Sequence, residues 1–123
     1  MSKKKITRTS EILVRVGLSE QNIPLYLEWE STDGKDAGKP HAAKAVLISV
    51  FGRDTLDTLK IDLWTEDFQI MEMDRFMFQT LRGLADTYFR ATQNKELAGA
   101  MQQFVTYFGE KTGIIPTEAQ KKK

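Results

Sequence analysis

The sequence predicts an α+β fold: a four-stranded antiparallel meander followed by two C-terminal helices packed on one face of the sheet. Three observations predict it. Apolar residues recur at every second position as far as Trp64, the apolar period lengthens to that of a helix from Ile70 onward, and the connections between segments are short. Consecutive strands joined by short connections pair antiparallel, so four strands and then two helices give a meander with a helical layer.

Ile12, Val14, Val16 and Leu18 alternate with Leu13, Arg15, Gly17 and Ser19, which is the pattern of a strand with one inward face. Ile23, Leu25, Leu27 and Trp29 alternate with Pro24, Tyr26, Glu28 and Glu30 in a second strand, and Pro24 suits a strand start, where its missing N–H is not needed. Residues 31–41 gather Asp33-Gly34, Gly38 and Pro40 among lysines and aspartates, a composition that predicts a mobile loop. The third strand, 43–51, is apolar on both alternations. Gly52-Arg53-Asp54 opens a turn, and Leu59, Ile61 and Leu63 alternate with Lys60, Asp62 and Trp64 in the fourth strand.

At about 100° per residue, Ile70, Met73, Met77, Leu81, Leu84, Ala85 and Tyr88 share one arc of the first helix, and Glu72, Arg75, Gln79, Arg82, Asp86 and Arg90 share the opposite one. Asn94 is the expected N-cap of the second helix, which sets Leu97, Met101, Phe104, Val105 and Phe108 on its apolar side and stops at Gly113, with Pro116 beyond. The expected organisation is a flexible basic N-terminus over 1–9, a single domain over 10–113, and a flexible tail over 114–123.

At 123 residues the chain has length for one well-buried core. Its 18 basic and 17 acidic side chains nearly cancel, which argues against nucleic acid or an anionic membrane as the partner. Lys3-Lys4-Lys5 and Lys121-Lys122-Lys123 carry no interleaved aromatics and read as solvated ends. There is no cysteine, so a reducing compartment is the simplest setting, and no apolar stretch follows the charged opening to make an export signal. The apolar run 45–51 is far shorter than the roughly 20 residues of a membrane helix. A cytoplasmic chain without membrane insertion is expected.

The residues offer little chemistry. His41, the only histidine, stands in the glycine-rich loop and reads as solvated; with no cysteine it has too few companions for a metal site. Asp62, Glu66 and Asp67 could form an acid and base pair, yet Asp62 alternates outward and the other two precede a helix, where acidic side chains cap N–H groups. Met73 and Met77 belong to the core arc, whereas Phe76 falls beside the polar arc and is a candidate contact. No nucleotide-binding glycine motif is present. The expectation is a non-enzymatic protein without cofactor or metal.

Two helices roof only one side of a sheet, so the outer side should present Leu13, Tyr26, Trp64 and one row of the third strand (Val46, Ile48, Val50), with Arg15, Glu28, Lys60 and Asp62 between them. Apolar surface left in water forfeits about 25 cal/mol per Å², and monomers seldom expose large patches. A protein partner or a second copy of the chain, joined in a homodimer or higher homo-oligomer, is the expected cover. The patch Leu13, Tyr26, Val46, Ile48, Val50, Trp64 and Phe76 is therefore the candidate interface.

Three stretches together carry a resemblance: Lys44-Ala45-Val46-Leu47-Ile48-Ser49-Val50-Phe51, then Thr58-Leu59-Lys60-Ile61-Asp62-Leu63-Trp64-Thr65-Glu66-Asp67, then Glu72-Met73-Asp74-Arg75-Phe76 leading to Gln79-Thr80-Leu81 and Ala85-Asp86-Thr87-Tyr88-Phe89-Arg90-Ala91-Thr92. In order and spacing they resemble the GldC family of gliding-motility accessory proteins of Bacteroidetes, over roughly 10–111. The resemblance implies a small cytoplasmic protein that supports surface gliding through other gliding-motility proteins, with no enzymatic activity and no cofactor. The order of strands and helices is also similar to that of SecB export chaperones, an analogy of fold that offers a holdase or adaptor for client proteins as the alternative.

Overall fold

The computed structural model describes residues 4–117. In chain order the elements are β1 (Ile12–Leu18), β2 (Pro24–Ser31), β3 (His41–Ala43), β4 (Ala45–Phe51), β5 (Thr58–Trp64), α1 (Ile70–Thr92) and α2 (Lys95–Thr112). They divide at the Phe68/Gln69 junction into two compact units, one of strands and one of helices. Lys3 and Lys121 to Lys123 lie outside the described residues, as does the tail beyond 117.

The strand unit is an antiparallel assembly, but it is not one four-stranded sheet. It holds a three-stranded sheet in the order β1-β2-β3 and a two-stranded sheet β4-β5. The expected third strand is two, broken by a bend at Lys44. Before the bend, His41, Ala42 and Ala43 pair with Trp29, Glu28 and Leu27; after it, Ala45 to Phe51 pair with Trp64 to Thr58. The Lys44 carbonyl accepts the Thr65 N–H at 2.9 Å and the Thr65 hydroxyl at 3.3 Å, so the bend is tied to the end of β5. A segment apolar on both alternations can serve two partners, and the chain changes partner where its one charged residue interrupts it.

The β1–β2 pairing runs from Ile12 opposite Ser31 to Gly17 opposite Tyr26, then jumps so that Leu18 faces Pro24. Leu25 is the additional residue of a β-bulge, and the bulge resets the alternation that the sequence carries evenly through Ile23, Leu25 and Leu27. Leu27 is fully buried. The 31–41 loop is shorter than expected, because its last residue, His41, belongs to β3 and stacks on Trp29 with ring centroids 4.8 Å apart. Gly38 donates its N–H to the Ser31 carbonyl at 2.8 Å and has a φ of 77°, a left-handed turn that glycine adopts without steric cost. Arg8 pairs with Asp33 of this loop at 2.7 Å.

In the helical unit, α1 begins at Gln69, whose side chain and backbone form a reciprocal capping box with Glu72, and α2 begins at the expected cap, with the Asn94 side chain accepting the Leu97 N–H at 3.1 Å. The end of α2 at Gly113, in the left-handed conformation with φ 80°, is also as expected. The two helices meet on a seam that shares Ala85 and Val105 with the predicted arcs and adds Phe78, Ala98 and Gly109. Phe78 and Ala85 of α1 and Ala98, Val105 and Gly109 of α2 are its buried residues. Small residues set this approach: a Cβ on Gly109 would stand 2.7 Å from Phe78 Cε1 and 2.8 Å from Ile115 Cγ1. Leu97 and Phe104, expected on the apolar side, are 51% and 52% exposed.

Candidate protein-interaction surface

Directly opposed residues of an antiparallel pair project from the same face, so the register sorts every candidate residue. On β1 and β2, Leu13, Arg15, Tyr26, Glu28 and Glu30 share one face, and Val14, Val16, Leu27 and Trp29 the other. Arg15 bridges to Glu28 at 2.6 Å and to Glu30 at 2.5 Å. These hydrogen bonds, the one donated to Glu30 foremost, hold its guanidinium pKa above the ordinary value. On this face Leu13 and Tyr26 flank a cross-strand ion cluster of Arg15, Glu28 and Glu30.

The hairpin distributes its residues differently from the expectation. Val46, Ile48 and Val50 oppose Leu63, Ile61 and Leu59, and these six form a single apolar ladder. Trp64 opposes Ala45 on the other face, in company with Leu47, Asp62, Ser49 and Lys60. The structure thus separates Trp64 from the β4 row with which it was grouped. Both hairpin faces reach solvent: Val50 is 53% exposed and Leu59 64% on the first, Trp64 48% and Phe51 65% on the second. The Glu66 N–H reaches the Pro24 carbonyl at 3.3 Å, which brings the start of β2 and the end of β5, and hence Tyr26 and Trp64, to one end of the strand unit. Phe76 lies half-buried on α1.

The carboxylates have local duties. Asp62 pairs with Lys60 of the same strand, and that hydrogen bond, with the lysine's charge, lowers its pKa. Asp67 accepts the hydroxyl of buried Thr65 at 2.5 Å, which lowers its pKa too. With Phe68 N–H donating to the Thr65 carbonyl at 3.0 Å, these contacts fix the turn from β5 toward α1. The cluster of Asp62, Glu66 and Asp67 is thus divided among a strand ion pair and a turn. Among the described residues no group of three or more histidine or acidic side chains is placed to hold a metal ion. No helix among them is long and apolar enough to cross a membrane.

One surface was not anticipated. Leu81 and Tyr88 of α1 with Leu97, Ala100, Met101, Phe104 and Val105 of α2 line an apolar groove of about 570 Å³. The helical period placed Leu97, Met101 and Phe104 on the apolar side of α2. The signal against that reading was Ala98 and Gly109, eleven positions apart on one helix face, whose small side chains allow closer approach than the bulky row beside them.

The chain has no match among curated proteins and none among solved structures. Residues 24–114, well over half of the chain and the whole run from β2 to the end of α2, match a family model described as "Gliding motility-associated protein GldC-like". The chain therefore belongs to the GldC-like family.

Proposed function

We propose that this protein is a non-enzymatic accessory protein of gliding motility, acting in the cytoplasm by contact with other gliding-motility proteins. Membership of the GldC-like family carries the reading. The surface supports it: aromatic and aliphatic side chains of β2, β4 and β5 stand in solvent between charged residues already paired with one another, the composition of a contact patch with a polar surround. The absence of cysteine fits a reducing compartment.

The test is affinity capture from cells that carry the protein, with captured proteins identified by mass spectrometry. Wild-type protein retains named motility components, and the double variant Tyr26→Ser, Trp64→Ser loses them while its circular dichroism stays unchanged. An identical set of captured proteins for both sinks the assignment of this surface. A holdase or adaptor is the second reading, favoured by the apolar groove between α1 and α2. Suppression of the aggregation of unfolded clients, abolished by Phe104→Ser and not by Trp64→Ser, would decide for it.

A further inference from the structure

The outer edge of β5 carries a self-complementary register. β5 pairs with β4 on one side, and among the described residues no backbone hydrogen bond links 58–63 to any other strand. Its outward N–H and C=O groups are a template for a further strand. An antiparallel pairing about a two-fold axis at Ile61 sets Ile61 against its own counterpart, Lys60 against Asp62, Leu59 against Leu63 and Thr58 against Trp64, with each unequal pair formed twice. A lone lysine on an edge discourages pairing. Lys60 with Asp62 two residues on does the reverse when the neighbour is another copy of the same strand, since four charges then alternate in sign across the junction.

The other candidate edges lack this property. β1 is an edge of its sheet, yet a two-fold pairing centred on its middle residue opposes Arg15 to itself. β4 has no charged residue to select a register. The hairpin also needs more than it has. An isolated two-stranded sheet is marginal in water, and three or more strands with an apolar face give independent stability. Here the ladder of Val46, Ile48, Val50, Leu59, Ile61 and Leu63 lies along the edge in question, with Leu59 and Val50 more than half exposed.

We propose that β5 pairs with β5 of a second copy of this chain, antiparallel and centred on Ile61, so that two hairpins form one four-stranded sheet in a closed two-fold dimer. The apolar ladders of the two copies then run on as one face, because a two-fold axis perpendicular to the sheet keeps equivalent faces on the same side. This association is independent of the motility reading and stands or falls on the chain alone.

The test uses gel filtration with light scattering and sedimentation equilibrium on the full chain. Wild type is a dimer. Lys60→Asp and Asp62→Lys each oppose like charges at both symmetry-related pairs and weaken the dimer roughly ten-fold or more, with circular dichroism unchanged. Mixing the two single variants restores association as a heterodimer, and the exchange Lys60→Asp with Asp62→Lys in one chain restores the homodimer. A substitution that merely damaged the hairpin by breaking the Lys60–Asp62 pair within the strand would be rescued by the exchange in one chain and not by mixing, so the mixing result decides. The proposal is overturned by a wild-type chain that stays monomeric at its highest soluble concentration, by single reversals that leave the dimer as strong as before, or by mixing that restores nothing.

Discussion

At the scale of single residues, Leu27 and Thr65 have the most definite roles in the strand unit. Leu27 is fully buried, opposite Val16 on one side and Ala43 on the other. Leu27→Ala should cost about 2–5 kcal/mol of stability, read as a lower denaturant midpoint. Thr65 acts through its hydroxyl, which contacts the Lys44 carbonyl and the Asp67 carboxylate. Folding lowers the Asp67 pKa, so the stability it contributes is complete above the unfolded value of about 3.9 and is lost as pH falls through the lower folded value. Thr65→Val should therefore raise the Asp67 pKa toward the ordinary carboxylate range, followed by NMR titration, and the stability gap between variant and wild type should narrow in acid. The sequence offered Asp67 as an acidic residue before a helix; its partnership with a buried threonine required the turn geometry.

At the scale of elements, the strands over 12–18, 24–31 and 58–64 and both helices were legible because each has a single apolar period with polar residues to mark its other face. The caps Asn94 and Gly113 were legible for a chemical reason: few residue types accept a helix N–H from outside or adopt a left-handed φ without cost. The division of 41–51 was not legible, since a run apolar on both alternations carries no mark of where it changes partner. Nor was the hairpin's division of Val46, Ile48 and Val50 from Trp64, which depends on register and not on period. The helix seam was legible in part: buried Ala85 and Val105 stand on the predicted apolar arcs, whereas Phe78, Ala98 and Gly109 do not. One substitution at two sites of α2 tests that seam. Nothing lies within 4 Å of a Cβ built on Gly99, so Gly99→Ala should stabilise by about 1 kcal/mol through helix propensity. At Gly109 the same change meets Phe78 and Ile115, and overpacking of about 1–3 kcal/mol should outweigh that gain, so thermal unfolding should shift in opposite directions for the two variants. Asn94→Ala should cost about 1 kcal/mol by uncapping α2, measured by the same unfolding scan.

At the scale of the whole molecule, the proposed function rests on surface left apolar. The carboxylates that invited a catalytic reading are engaged with Lys60 and Thr65, and the charged side chains of the β1–β2 face are engaged with one another. More than two fifths exposed are aromatic and aliphatic side chains: Tyr26, Phe51, Leu59 and Trp64 in the strand unit, Leu97 and Phe104 in the helical one. The sequence led to the expectation of such surface by counting more apolar rows than two helices can roof. It could not divide the surface among partners, because composition is the same whether a second copy or another protein lies against it. Family membership supplies the biological setting, and deletion of the gene from its own cells, with timed measurement of colony spreading, tests the account most directly. Spreading should fail, return with the wild-type gene, and remain absent with Tyr26→Ser, Trp64→Ser at equal protein abundance. A deletion strain that spreads as fast as its parent would contradict the account.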